Sequence, residues 1–259
     1  TLLEDGVAPM ADRTSPALVR KDLEGFHEWP DPARLAVTPT TACQLRCRYC
    51  NVKLGKRRSP PEVLDRAVDV LLASRGDRVE LQFFGGEPLL ARDEVVRTME
   101  RGARLARSAG KRLHFTLTTN GILLDGEMIA VLESHDSSVI FSFDGDPGVM
   151  AAQRPAGRRT GGSTAAVHGR IVENLRALAA SHVRFFVNMV VEPGDAGDMA
   201  ARVEHVASLG ARTVQICYSL GPGWDAPARG AFVEGLRSCS SLVRDLAARG
   251  RSIRVQNLG

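Results

Sequence analysis

Residues 38–52 read TPTTACQLRCRYCNV. Three thiols, Cys43, Cys47 and Cys50, stand there as C-x3-C-x2-C, just after a short apolar run at 35–39. The chain has five cysteines, an odd number, and these three fall within eight residues; a disulfide scaffold would spread them. The pattern therefore reads as intracellular and ligand-bearing, with a cytoplasmic location expected. Thiolates are the usual ligands of iron–sulfur clusters, and a compact loop brings three of them around one cubane. Three ligands on four irons leave one iron without a protein donor, the kind of open position that separates catalytic metal sites from closed structural ones. Zinc is a competing reading, but it requires a fourth ligand, and only His27 and His114 stand as remote options. Unligated core cysteines are another, and Gln44, Arg46 and Arg48 make this loop too polar to bury.

Outward from this loop, strand-like apolar runs alternate with helix-like runs almost to the end. The strands are expected at 35–39, 79–84, 113–119, 138–144, 183–191, 212–218 and 253–257. Helical spacing links Val63, Leu64, Ala67, Val70 and Leu71, with Pro60-Pro61 setting the helix start. It also links Val167, Ile171, Leu175 and Leu178, then Met199, Val203, Val206 and Leu209, and finally Phe232, Leu236, Cys239, Val243 and Leu246. Repeated βα units imply a parallel sheet with right-handed crossovers. The expected fold class is α/β, a partial (β/α)6-type parallel barrel over residues 35–259, rather than a flat doubly wound sheet. Residues 1–34, with Pro9, Pro16, Pro30 and Pro32, are expected to be an N-terminal arm, and 155–163 a basic loop.

Side chains alternate between the two faces of a strand, so each run splits into two sets. Val79, Leu81 and Phe83 oppose Glu80, Gln82 and Phe84. Leu113, Phe115, Leu117 and Thr119 oppose His114, Thr116, Thr118 and Asn120. Val139, Phe141 and Phe143 oppose Ile140, Ser142 and Asp144. Asn188 and Glu192 fall opposite Phe185, Val187 and Met189, and Gln215 and Cys217 opposite Val214 and Ile216. The apolar sets suit a helix-covered outer face. The polar sets then share the lumen, which a structural barrel would fill with branched apolar residues; a polar lumen points to a working cavity, with exposed edge strands as the alternative.

The 259 residues carry a net charge of +4, too small an excess to argue for nucleic acid, so no DNA partner is expected. No apolar run reaches membrane-spanning length, and the first residues carry acids and no apolar signal core, so neither a membrane span nor a secretory signal is expected.

The three-cysteine spacing, with Tyr49 before the last thiol, resembles the signature of radical S-adenosylmethionine (SAM) enzymes. Three further stretches agree with it: Phe84-Gly85-Gly86-Glu87-Pro88, Thr118-Thr119-Asn120-Gly121 and Ser142-Phe143-Asp144-Gly145. All close a strand at its C-terminal end, where barrel enzymes place their chemistry. The resemblance implies a [4Fe-4S] cluster held by Cys43, Cys47 and Cys50. It further implies SAM chelated at the open iron by its amino and carboxylate groups, and reductive cleavage to a 5′-deoxyadenosyl radical. By the same resemblance Gly85, Gly86 and Glu87 meet the SAM amino group, and Tyr49 the adenine. Asn120 and Ser142 meet the ribose or carboxylate, and Arg154, Arg158 or Arg159 the carboxylate, although Ala151-Ala152-Gln153 ahead of Arg154 departs from the family pattern. Asp144 either orients these groups, faces substrate as a catalytic acid, or simply forms an Asp-Gly turn. Asn188, Glu192 and Gln215 are lumen candidates by parity, with Asn188 assigned to the cofactor and Glu192 to proton handling.

Cys239 reads as a core residue, and Cys217 as a lumen thiol. Lys53, Lys56, Arg57 and Arg58 follow the cysteine loop and read as a solvated charge run, a means of tuning the cluster, or a surface for an acidic partner. Among radical SAM enzymes the motifs look most like the barrel core of peptide and protein maturases that carry an added C-terminal SPASM-type cluster domain. The only late cysteines are Cys217 and Cys239, so no auxiliary cluster is assigned. A peptide or protein substrate and an electron donor such as flavodoxin or ferredoxin are the implied partners. A small-metabolite radical SAM enzyme and a non-catalytic electron-transfer module are the alternatives.

Overall fold

A computed structural model describes residues 31–157, 163–220 and 223–258. Seven strands form one sheet: β1 (Arg34–Val37), β2 (Arg78–Phe83), β3 (Arg112–Thr119), β4 (Ser137–Ser142), β5 (Arg184–Val191), β6 (Thr213–Tyr218) and β7 (Arg254–Val255). Every neighbouring pair is parallel and the spatial order follows the sequence order from β1 to β7. A doubly wound sheet would reverse direction from a central strand. This one never does, and no ladder joins β7 back to β1 among the described residues, so the sheet is an open, singly wound partial barrel.

Between the strands lie α1 (Pro61–Ala73), α2 (Arg92–Ser108), α3 (Gly126–Ser134), α4 (Pro147–Gln153), α5 (Thr164–Ala179), α6 (Met199–Ser208) and α7 (Ala226–Ala248). Pro60 caps α1 and Pro61 opens it, since proline suits a first turn whose N–H has no partner. The buried seam of α1 is Leu64, Val68 and Leu71; Val63, expected on it, is 51% exposed. The α5 stripe of Val167, Ile171, Leu175 and Leu178 is buried as spaced.

The strand faces divide as their parity predicts. Val79, Leu81, Phe83, Leu113, Phe115, Leu117, Val139, Phe141, Val187, Val214 and Ile216 are all buried in one core with the inner stripes of the helices. The opposite face carries hydrogen bonds between side chains of adjacent strands. Gln82 joins Arg34 at 2.7 Å to Thr118 at 2.9 Å, and Thr116 donates to Glu80 at 2.6 Å. Ser138 meets His114 at 2.9 Å, and Cys217 donates to Asn188 at 3.3 Å.

Two strands stop earlier than expected, at Val37 rather than 39 and at Val255 rather than 257. After Val37 the chain leaves the sheet toward residues 57–59: Ser59 donates through its hydroxyl to the Thr38 carbonyl and through its N–H to that of Pro39. β7 pairs only through Arg254 and Val255. Asn257 then replaces the ladder with its side chain, accepting from the Ile216 N–H at 2.8 Å and donating to the Ile216 carbonyl at 2.9 Å. Ala33 onward forms a compact unit; residues 1–30 of the expected N-terminal arm, and with them His27, lie outside the described residues.

Candidate active site

The loop after β1 is held on both flanks through its backbone. On one side Thr41 N–H donates to the Arg57 carbonyl at 3.0 Å and Gly55 N–H to the Thr41 carbonyl at 3.0 Å. On the other, Arg46 N–H reaches the Pro155 carbonyl at 2.8 Å, Arg48 N–H that of Gln153 at 2.9 Å, and Gly157 N–H donates to Gln44 at 2.6 Å. Leu45, 1% exposed, anchors the middle of the loop in the core. Sequence places apolar Leu45 between two polar neighbours, so it sinks while Gln44 and Arg46 stay above it. The backbone is thus fixed while the thiols are not consumed by it.

From beneath, Gly85 and Gly86 press against this loop. Gly86 N–H donates to the Thr40 carbonyl at 3.0 Å and Glu87 N–H to that of Ala42 at 2.7 Å. A Cβ on Gly86 would lie 2.1 Å from the Ala42 oxygen, and one on Gly85, at φ +132°, 2.5 Å from Thr38 Cγ2. Only glycine permits that approach.

Cys43, Cys47 and Cys50 border one cavity of about 230 Å³ at the C-terminal ends of the strands. Tyr49, Gly85, Gly86, Asn120, Ser142, Arg154 and Asn188, all expected at the cofactor, line it too. The Cys43 sulfur accepts from the Leu45 N–H at 3.4 Å and from Asn120 Nδ2 at 3.7 Å. Burial pushes the Cys43 thiol up and that of Cys47 up to about 11, the nearby Arg154 charge opposing it at Cys47. Bare thiolates are therefore unfavourable here, and cationic iron would supply the missing compensation. Among the described residues no three His, Cys, Asp or Glu side chains converge as they would on a single metal ion. His114 lies with Ser138 and Asp136, away from the thiols. An all-sulfur donor set around a shared cavity fits an iron–sulfur cluster with a coordination position left open.

Four residues singled out in the sequence do not line this cavity. Glu87, aimed by the sequence at the SAM amino group, is 0% exposed. Its carboxylate instead accepts from Asn120 N–H at 2.8 Å, Thr119 Oγ1 at 2.9 Å and Leu89 N–H at 3.1 Å. These donors emerge where β3 ends and a 3₁₀ turn (Pro88–Ala91) starts, and unpaired they would be costly in the interior. Burial pushes Glu87 up to about 7 against those three bonds.

Asp144, weighed as a substrate-facing acid, is also 0% exposed. It accepts from Tyr49 Oη at 2.5 Å, Arg154 Nε at 2.7 Å and Nη2 at 3.0 Å, and Val190 N–H at 2.9 Å. Four donors occupy the carboxylate, so it positions its neighbours. Glu192 follows β5, with its N–H on Asp195 Oδ1 at 2.7 Å, outside the residues that line the cavity. Gln215 faces the lumen beside Asn188 in register but likewise does not line the cavity. Arg158 and Arg159 lie outside the described residues.

Arg154 joins the two halves of the site. It is 6% exposed, paired with Asp144, and its guanidinium sits 5.4 Å from the Tyr49 ring centroid. Burial works against its charge, but Asp144, Tyr49 and Cys47 together raise its pKa overall. Sequence reasoning missed Arg202 entirely. On α6, 2% exposed, it donates to the Asp144 and Val190 carbonyls and to Asp195 Oδ2 at 2.9 Å, while Gln153 donates to the same Asp195 oxygen. A signal was present: Arg202 shares a helix face with Met199 and Val206, where a charge demands a buried partner.

With the geometry in place, comparison with known proteins agrees with it. Residues 37–205 match the model of the radical SAM superfamily. The chain belongs to that superfamily, whose members bind a [4Fe-4S] cluster and SAM. A PqqA peptide cyclase from Streptomyces rochei is 28% identical over 206 residues, 78% of this chain and 52% of the relative. A GTP 3′,8-cyclase from Corynebacterium glutamicum is 29% identical over 185 residues, 69% of this chain and 47% of the relative. The solved structure of anSMEcpe with bound AdoMet and Cp18Cys peptide shares the fold at TM-score 0.74 and 20% identity, covering 87% of this chain and 64% of that one. The chain thus spans about half the length of the curated relatives it matches. No helix among the described residues is long and apolar enough to cross a membrane.

Proposed function

We propose that this chain forms the catalytic barrel of a radical SAM enzyme that modifies a peptide or protein side chain. The observation that carries the chemistry is the single cavity bordered by three thiols, the Gly85-Gly86 turn and the ends of β3, β4 and β5. Cys43, Cys47 and Cys50 would hold the cluster, and SAM bound beside it would supply the radical chemistry for abstracting a hydrogen atom from substrate. Around that group the protein's own residues bind and orient. Gly85 and Gly86 bring backbone carbonyls close to an ammonium, and Arg154 sets a fixed positive charge at the wall for a carboxylate. Asn120 is held at both ends of its amide, by Gln44 at 3.2 Å and by the Ile122 N–H at 3.0 Å, which presets its direction toward the cavity. Ser142 and Asn188, opposite one another in register, present polar atoms on the β5 side. Val52, Leu54, Phe84 and Val190 contribute apolar walls.

Two relatives support a peptide substrate: the PqqA peptide cyclase and the peptide-bound anSMEcpe structure. Anaerobic incubation with SAM, a reductant and a short precursor peptide encoded nearby should yield deoxyadenosine and a mass-shifted peptide. Deoxyadenosine with every candidate peptide unchanged would remove the peptide reading. The GTP 3′,8-cyclase relatives favour a second reading, a small-metabolite substrate, and nucleotides in the same assay discriminate it. SAM cleavage failing with a fully reduced cluster would leave only an electron-transfer module.

A further inference from the structure

The basic residues within and after the cysteine loop do not line the cofactor cavity. Residues 46–58 hold Arg46, Arg48, Lys53, Lys56, Arg57 and Arg58 and no acid, a local charge larger than the net +4 of the whole chain. The rest of the chain sums to −2; residues 101–112 hold five basic side chains and no acid as well, but they lead into the start of β3, the end of that strand opposite the thiols. All six side chains lie on exposed residues, and Arg58 alone among them forms an ion pair within the described residues, with Glu94 at 2.8 Å. Arg46 is turned onto its own loop, donating to the Cys43 and Leu45 carbonyls at 2.8 Å.

A second cavity, about 940 Å³ and open to solvent, lies along this segment and includes Arg46, Lys56 and Arg58 in its lining. It shares Cys43 and Leu54 with the cofactor cavity and no other residue. A partner seated in it would be separated from the cluster position by one cysteine. A substrate that must meet the radical needs the other cavity, where Ser142, Asn188 and Val190 lie.

We propose that this basic cleft is the docking surface for an acidic one-electron carrier protein of the flavodoxin type. The inference rests on the radical SAM reading above, which requires a reductant for the cluster. Charge complementarity selects the partner, since an acidic surface meets Arg46 and Lys56, which no acid pairs among the described residues, beside the cluster ligand Cys43. The transfer itself is balanced: the carrier's flavin hydroquinone gives one electron and becomes the semiquinone, and the cluster gains that electron. The segment's backbone bonds to Thr41 fix the cleft relative to Cys43, so docking geometry and electron entry are set by the same loop.

The test uses anaerobically reconstituted protein and its Lys53→Glu/Lys56→Glu variant, neither lysine being part of the cofactor site. Titration with an acidic flavodoxin, and bleaching of cluster absorbance by its hydroquinone, are compared with bleaching by dithionite. Docking predicts that the variant binds flavodoxin at least 10-fold more weakly at low salt and is reduced by it correspondingly slowly. Dithionite rates stay unchanged, and the difference between the two proteins shrinks at high salt. Equal losses with both reductants would mean that the lysines act on the cluster itself, and unchanged flavodoxin binding would leave the cleft without this role; either overturns the inference. So would a variant that loses affinity for polynucleotide or for an acidic peptide while flavodoxin binding persists. A wild-type protein that docks flavodoxin here yet makes no deoxyadenosine with dithionite would instead remove the enzymatic reading and keep the docking surface.

Discussion

The cysteine loop and the buried bracket of Asp144, Arg154 and Arg202 lie side by side and treat their polar atoms in opposite ways. In the loop the backbone is committed on both flanks, while the thiols keep only weak contacts and Cys50 stays exposed. In the bracket the Asp144 carboxylate and the Arg202 guanidinium are spent, and Arg154 is tied to Asp144 through Nε and Nη2. Asp144 holds four donors, and Arg202 reaches two carbonyls and a carboxylate. Reactive groups must retain coordination capacity, whereas buried charges survive only when saturated. Substitutions in the two regions should therefore separate function from stability.

Cys47→Ala carries the largest functional effect: the brown cluster absorbance and deoxyadenosine formation should both vanish. The metal-free protein should melt within about 4 °C of wild type, since one partly buried sulfur is lost. Persistence of either signal would break the comparison on the loop side. Asp144→Ala breaks it on the other side, because Arg154 is left buried without its partner. Denaturant unfolding of the metal-free protein should show a loss of about 3–5 kcal/mol, and a loss below about 1 kcal/mol would contradict the bracket.

Glu87 sharpens the contrast through pH. Its folded pKa, raised by burial from 4.5 to about 7, means that a stability contribution is fully present below 4.5 and is lost as pH rises through 7. A shift of that size is worth about 3 kcal/mol. Unfolding measured at pH 4.5 and pH 8 should show that decline in wild type and a flatter profile in Glu87→Gln; parallel profiles would contradict the assignment. Gly86→Ala has the smallest expected effect, about 1–3 kcal/mol of overpacking against the Ala42 carbonyl. Its distinctive reading is iron content: the displaced loop should retain less iron after reconstitution than wild type does.

The strands and the polar lumen were legible because period-two patterning is local and strong: Gln82, Thr116 and Ser142 lie on the polar face where parity put them. The thiols were legible because cluster ligands must crowd into one loop. Glu87 was aimed at a ligand because an acid after a strand looks the same whether it meets a ligand or ties up nearby N–H groups. Asp144 was left open between orienting its neighbours and facing substrate, of which its bonds to Tyr49 and Arg154 match the first. Only tertiary placement of Asn120 and Val190 decides each case. Arg202 was hidden because its partners, Asp144 and Val190, lie 58 and 12 residues away. β7 was overextended because the alternation of Ile253, Arg254 and Val255 does not show where pairing ends, and Asn257 takes over pairing with a side chain.

The most direct measurement is electron paramagnetic resonance of the dithionite-reduced, anaerobically reconstituted protein, with and without SAM. The account predicts a reduced [4Fe-4S] signal, about four iron atoms per chain, and a spectrum that changes when SAM is added. Zinc in place of iron, or an iron signal indifferent to SAM, would contradict it.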